Sequence, residues 1–153
     1  MSMYFNSPER ILKLREEALK WVGTPFADYS AVPGRAGGVS CGYLVFTVLQ
    51  ASGCCPADLR APKIGWKDNH GAVDSSILSA LVGFLHEGYL LSLHRSDSLR
   101  PGDVIGIRIK SCLDHLALYV GPGEFLSIRI RQRVQLGEYA GLKNYQAWRP
   151  LEV

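Results

Sequence analysis

No apolar run in the 153-residue sequence approaches the ~20 residues that a membrane span needs, because charges, Gly or Pro interrupt every one. The first residues, Met1-Ser2-Met3-Tyr4-Phe5-Asn6, have neither the basic start nor the apolar centre of a signal peptide. The expectation is therefore no general export signal, with the location left open between the cytoplasm and a non-standard export route. Charge of one sign is also missing: 17 Lys and Arg against 14 Asp and Glu give a formal +3, too small and too dispersed for a nucleic-acid partner. The densest basic stretch, Arg129-Ile130-Arg131-Gln132-Arg133, alternates and reads as a strand with one charged face.

Cysteine is sparse. Positions 41, 54, 55 and 112 show no disulfide-framework spacing, which fits a reducing compartment. Cys112-Leu113-Asp114-His115 has Cys-x-x-His spacing, but Cys54-Cys55 has no gap and does not complete a zinc site, so no metal and no cofactor are expected. Cys54 and Cys55 read as one packed and one partly exposed residue. A phosphate-cradling Gly-x-x-x-x-Gly-Lys is absent, as are internal repeats, low-complexity tracts and linkers. The length is that of one ordinary domain, 1–153, able to bury its own core.

What is present is well punctuated. Ser7 suits an N-cap, Pro8 the first helical position and Gly23 the residue past the end, with Ile11, Leu14, Ala18 and Trp21 or Val22 on one face. Residues 24–40 carry Gly, Pro and Asp without a period and read as a long loop. They run into Cys41 and an apolar helical pattern, Tyr43 to Ser52, closed by Gly53. A third helix is expected at about 75–87, with Asp74 as N-cap. From Leu99 the period becomes two: strands are expected at 104–109, 114–120, 124–130 or a little beyond, and 146–149. Helices first and strands later predict an α+β domain, with an antiparallel sheet packed on the cysteine helix.

A thiol in the first turn of a helix meets unpaired N–H groups and the positive end of the macrodipole, which favour thiolate over thiol. His115, 74 residues on, stands in Asp114-His115-Leu116-Ala117-Leu118-Tyr119-Val120-Gly121, which alternates as a strand does. Cysteine at a helix start and histidine on a strand are the parts of a cysteine hydrolase.

Four landmarks then resemble, in order and spacing, those of the NlpC-type cell-wall cysteine peptidases. They are Trp21-Val22-Gly23-Thr24-Pro25-Phe26, Gly38-Val39-Ser40-Cys41-Gly42-Tyr43-Leu44-Val45, Leu99-Arg100-Pro101-Gly102-Asp103-Val104 and His115-Leu116-Ala117-Leu118-Tyr119-Val120-Gly121. The resemblance covers residues 10–130. It implies a papain-like α+β fold, N-terminal helices on an antiparallel sheet, and cleavage of peptide bonds in cell-wall stem peptides, commonly after γ-D-glutamate. The peptide partner would be held around Phe26, Tyr29, Ser40, Gly42 and Arg129.

Three positions depart from that pattern. The family usually has Asp before and Ser after the cysteine, where this chain has Ser40 and Gly42. A tyrosine usual near the thiol is Phe26 here, leaving Tyr29 or Tyr43 to supply a hydroxyl. The third catalytic position, most often His, falls twelve residues after the histidine and is Ser127.

If Gly121-Pro122-Gly123 is a hairpin loop closed by Val120 and Glu124, His115 lies opposite Arg129 and Ser127 is its diagonal neighbour on the same face. At about 7–8 Å between Cα atoms, a short hydroxyl reaches the imidazole best through water. Asp114 points to the other face. Gln132 and Asn144 remain alternative third groups. Arg129 opposes an imidazolium and suits a substrate carboxylate. The reading is a hydrolase with Cys41 as nucleophile, His115 as general base, Ser127 or water orienting the ring, and the Cys41 N–H in the oxyanion site. The alternatives are an amidase or acyltransferase on another substrate, or a binding module that has lost turnover.

Overall fold

The computed structural model describes residues 2–27, 30–59, 88–94, 97–109, 112–129, 131–139, 142 and 145–152. The helix expected at about 75–87 lies outside these residues, as do Tyr29 and Asn144.

Helix α1, Pro8–Leu19, begins as its sequence specifies: the Ser7 hydroxyl accepts the Arg10 N–H at 3.3 Å, with Pro8 in the first turn. It stops earlier than the apolar spacing suggested. Short turns, Trp21 N–H to Ala18 O at 3.1 Å and Thr24 N–H to Trp21 O at 3.0 Å, carry the chain to Gly23, where φ is +88°. Trp21 is thereby turned inward and Val22 is left exposed. The loop at 24–40 contains two short antiparallel strands, β1 (Ala31–Val32) and β2 (Gly38–Val39). Helix α2, Cys41–Ala51, buries Leu44, Val45, Val48 and Leu49, and ends at Ser52 and Gly53.

The remaining strands are β3 (Leu90–Ser92), β4 (Val104–Ile109), β5 (Cys112–Tyr119), β6 (Phe125–Ser127), β7 (Gln135–Gly137) and β8 (Tyr145–Pro150). They form a six-stranded antiparallel sheet in the order β3-β8-β4-β5-β6-β7. The fold is α+β. One sheet face, through Val104, Leu116, Leu118, Leu126 and Trp148, packs with Leu14 and Ala18 of α1 and Leu44 and Val48 of α2 in the main core. The other carries Ile105, Ala117, Phe125 and Ala147 in a second cluster. Strand alternation sorts β5 between the two.

Asp103, fully buried, fixes the start of β4. It accepts the Arg100 N–H at 2.8 Å and two guanidinium bonds from Arg149, each at 2.8 Å. Beside it, Gly102 has φ +95°, and a Cβ there would lie 2.1 Å from the Phe5 ring, so only glycine fits.

The β5–β6 turn is closed by Val120 N–H to Glu124 O at 2.9 Å, as the sequence predicted, with Leu118 opposite Leu126 and Tyr119 opposite Phe125. The strand expected over 124–130 ends at Ser127. Beyond it Ile128 is buried, Gln132 N–H bonds Arg129 O at 3.0 Å, and Arg131 adopts φ +64°. The described part of the basic stretch, Arg129 and Arg131 to Arg133, leaves the sheet instead of continuing the strand. Arg129 accordingly stands past the end of β6, outside the ladder that would have set it opposite His115.

Candidate active site

Cys41 is positioned by backbone. Val39, two residues before it, donates to Pro25 O at 3.0 Å and accepts from Ala27 N–H at 3.2 Å. Phe26 in turn donates to Gln132 O at 3.1 Å, and Val134 N–H bonds Thr24 O at 2.8 Å. This weave ties the entry to α2 to the segment that follows Ser127. It depends on Gly38, where a Cβ would meet the Ala27 Cβ at 2.5 Å. Ser40 is the N-cap residue; its backbone carbonyl takes the first helical bond, from Leu44 N–H at 2.9 Å, while its buried side chain makes no capping bond. Cys41 itself is buried at the first helical position. A Cβ on Gly42 would meet nothing within 4 Å, so the residue after the thiol faces open space on that side.

His115 pairs with Ile107 across β4, beside a β-bulge where the register shifts between Ile107 and Arg108. Its imidazole lies 6.1 Å from the Tyr139 ring, tilted at 34°, and the Tyr139 ring also meets Phe125. It thus continues the row of Ala117 and Tyr119. The Nε2 atom is buried and has no hydrogen-bond partner among the described residues. Burial, and after it the nearby Arg129 guanidinium, push the imidazole pKa down from 6.5 to about 4. At neutral pH the ring is uncharged.

Continuing the β5–β6 register, Ser127 falls opposite Ala117 and diagonal to His115, on the same face. Its hydroxyl makes no bond to Nε2. Ser127 lines a pocket of about 190 Å³ with Arg129, Gln132, Arg133 and Tyr139 among others. Arg129 is exposed; its guanidinium lies 4.7 Å from the centre of the Tyr139 ring and donates to the Tyr139 hydroxyl. No carboxylate among the described residues pairs with it. Gln132 is exposed in the same pocket.

The structure therefore brings His115, Ser127 and Arg129 to one corner, and adds Tyr139. Sequence reasoning missed Tyr139 because Gly137-Glu138-Tyr139 carries no motif and no period. Cys41 stands at the start of α2, in the cluster that takes Leu116 and Leu118 from the opposite row of β5, and no hydrogen bond joins its sulfur to Nε2. Phe26 is half-buried against the same cluster. Tyr43, two residues along α2, lines a different pocket with Phe46, Thr47 and Gln50.

No protein-family model matches the sequence, and neither does any curated protein. Solved structures do. RipD of Mycobacterium tuberculosis, described as a non-catalytic NlpC/p60 domain protein adapted to peptidoglycan binding, is similar over 96% of this chain and 99% of its own, with 16% identity and a TM-score of 0.56. A lipoprotein-like NlpC/p60-family protein of Staphylococcus aureus is similar over the whole chain but 45% of its own length, with 17% identity and a TM-score of 0.60. The p60 domain of an antigen of M. avium paratuberculosis is similar over 95% and 93%, with 14% identity and a TM-score of 0.54. The likeness is one of fold.

Proposed function

From the NlpC/p60 fold of this chain we propose a cysteine hydrolase of low turnover that acts on an amide of a carboxylate-bearing peptide, of the cell-wall stem or γ-glutamyl class. The observation that carries the reading is the His115 imidazole: uncharged at neutral pH, its Nε2 buried and without a partner among the described residues, where an active papain-like site holds an orienting group.

Cys41 transfers its proton to the imidazole as sulfur attacks the amide carbon. The tetrahedral oxyanion is met by backbone N–H groups at the start of α2, the imidazolium returns its proton to the leaving amine, and water then hydrolyses the thioester. A ring that is costly to charge, beside a guanidinium, accepts that proton weakly. Arg129 binds a substrate carboxylate, which removes part of this opposition, and Phe26, Ser40 and Gly42 line the peptide's approach to the thiol.

A second reading, peptide binding without turnover, is favoured by one observation: Cys41, at the start of α2, packs in the cluster that takes Leu116 and Leu118 from β5, whereas His115 stands in the opposite row of that strand, beside Tyr139. Incubation with a stem peptide, followed by mass spectrometry and by calorimetry with Cys41→Ala, separates the two. Products from the wild type alone, with binding retained in Cys41→Ala, establish the hydrolase. Binding by both without products establishes the binding module, and neither binding nor products sinks both.

A further inference from the structure

Away from this corner, the turn after α2 holds two adjacent thiols. The sequence reading made one of them partly exposed, yet Cys54 and Cys55 are both buried as residues, at 7% and 6% exposure. They nevertheless line one cavity of about 500 Å³, with Tyr4, Tyr89, Arg10 and Glu152 among its walls.

The turn that presents them is fixed. Gly53 has φ +91°, the Cys54 N–H bonds Leu49 O at 3.3 Å, and the Cys54 thiol bonds the same carbonyl at 3.2 Å. Tyr4 closes one side: its hydroxyl donates to Ser52 O at 3.0 Å, and a Cβ on Gly53 would lie 2.6 Å from it. Arg10 lies over the Tyr4 ring at 4.3 Å and pairs with Glu152 at 2.9 Å. The two thiols also act on each other: the neighbouring Cys54 draws the Cys55 thiol below its usual range, while Cys55 and burial raise Cys54. The two cysteines are adjacent in the chain and line one cavity wall, so a single small centre can meet both sulfurs. Nothing in the hydrolase uses them, and among the described residues they belong to no group of three or more His, Cys, Asp or Glu that could hold a metal ion. A two-sulfur set suits a thiophilic centre that is satisfied by two thiolates and keeps its remaining bond to a substituent, more than a tetrahedral zinc ion.

We propose that Cys54 and Cys55 form a dithiol site that captures a trivalent arsenical, held by two As–S bonds with its organic substituent in the Tyr4–Tyr89 cavity. The reaction balances without redox change. The As=O bond of an organoarsenic oxide breaks, two As–S bonds form, and the oxygen leaves as water with both thiol protons. Two thiols tethered by one peptide bond give a chelate advantage of about 10²–10⁴-fold over a single thiol.

Phenylarsine oxide added at one equivalent to the folded wild-type chain tests it by intact mass and peptide mapping. The expected result is one phenylarsenic group per chain, stable to excess monothiol, removed by a dithiol, and blocking Cys54 and Cys55 together from iodoacetamide. Cys54→Ser and Cys55→Ser should each weaken binding by about 100-fold or more, and Cys41→Ser should retain it. No adduct on the folded chain, an adduct mapped to Cys41 or Cys112, or undiminished binding in either serine variant would overturn the proposal. The wild-type mapping decides the matter even if a serine variant does not fold.

Discussion

Acid should destabilise this protein through His115, and the size of the effect follows from its burial. In the unfolded chain the imidazole takes a proton near 6.5, whereas in the folded chain it does so at about 4. Between those values the unfolded chain binds more protons, so stability rises with pH. The contribution is fully present above pH 6.5 and is lost as the pH falls through 4. At about 1.36 kcal/mol for each pH unit between the two, the whole effect is about 3 kcal/mol. Urea unfolding of the wild type and of His115→Gln, each at pH 7 and pH 4, measures it. Carboxylates such as Glu17 titrate in both proteins, so the difference between them isolates the histidine. The stability of the wild type relative to His115→Gln should be about 3 kcal/mol greater at pH 7 than at pH 4, a change in midpoint of about 1–3 M urea. Equal pH dependence in the two proteins would show that the ring is solvated or charged, and the account of an uncharged, unpartnered imidazole would fail.

Other perturbations address the scaffold and the missing partner. Gly38→Ala places a Cβ 2.5 Å from that of Ala27 and should cost about 1–3 kcal/mol, read as a lower melting temperature and a lower rate; an unchanged melt would mean that the weave behind Cys41 yields. Asp103→Asn leaves the Arg149 guanidinium without its charge partner and should cost about 3–5 kcal/mol in thermal unfolding, a loss that a merely exposed pair would not show. Ser127→His should raise kcat by up to about tenfold, because one hydrogen bond to the imidazole is worth about 1 kcal/mol; no gain would place the orienting partner elsewhere.

The elements around Cys41 and the β5–β6 turn were legible because local chemistry decides them. Ser7 and Pro8 start α1, Gly53 ends α2, and Gly121-Pro122-Gly123 set a register that puts Ser127 diagonal to His115. Where tertiary contacts decide, the sequence misled. Residues 129–133 alternate as a strand does, yet Ile128 turns into the core and Arg131 takes a positive φ, because the chain must leave β6 to meet Pro25 and Phe26. Cys54 and Cys55 follow a helix end and read as one packed and one partly exposed, but Tyr4, 50 residues upstream of Cys54, closes over that turn and both are buried. Tyr139 carries no pattern at all; its place over Arg129 and beside His115 comes from the return of the chain after β7.

Whether Cys41 attacks with an uncharged imidazole as its base is tested most directly by the pH dependence of Cys41 alkylation. Iodoacetamide reaction followed by mass spectrometry at the Cys41 peptide, from pH 4 to pH 9, separates the two kinds of thiol. With an uncharged His115 there is no thiolate–imidazolium pair at low pH. The rate should therefore stay low through pH 6.5 and rise with one inflection between pH 7 and the ordinary thiol value of about 8.5, and it should change little in His115→Gln below pH 6.5. A plateau of fast alkylation beginning below pH 6.5, abolished by His115→Gln, would show a charged pair and contradict the account.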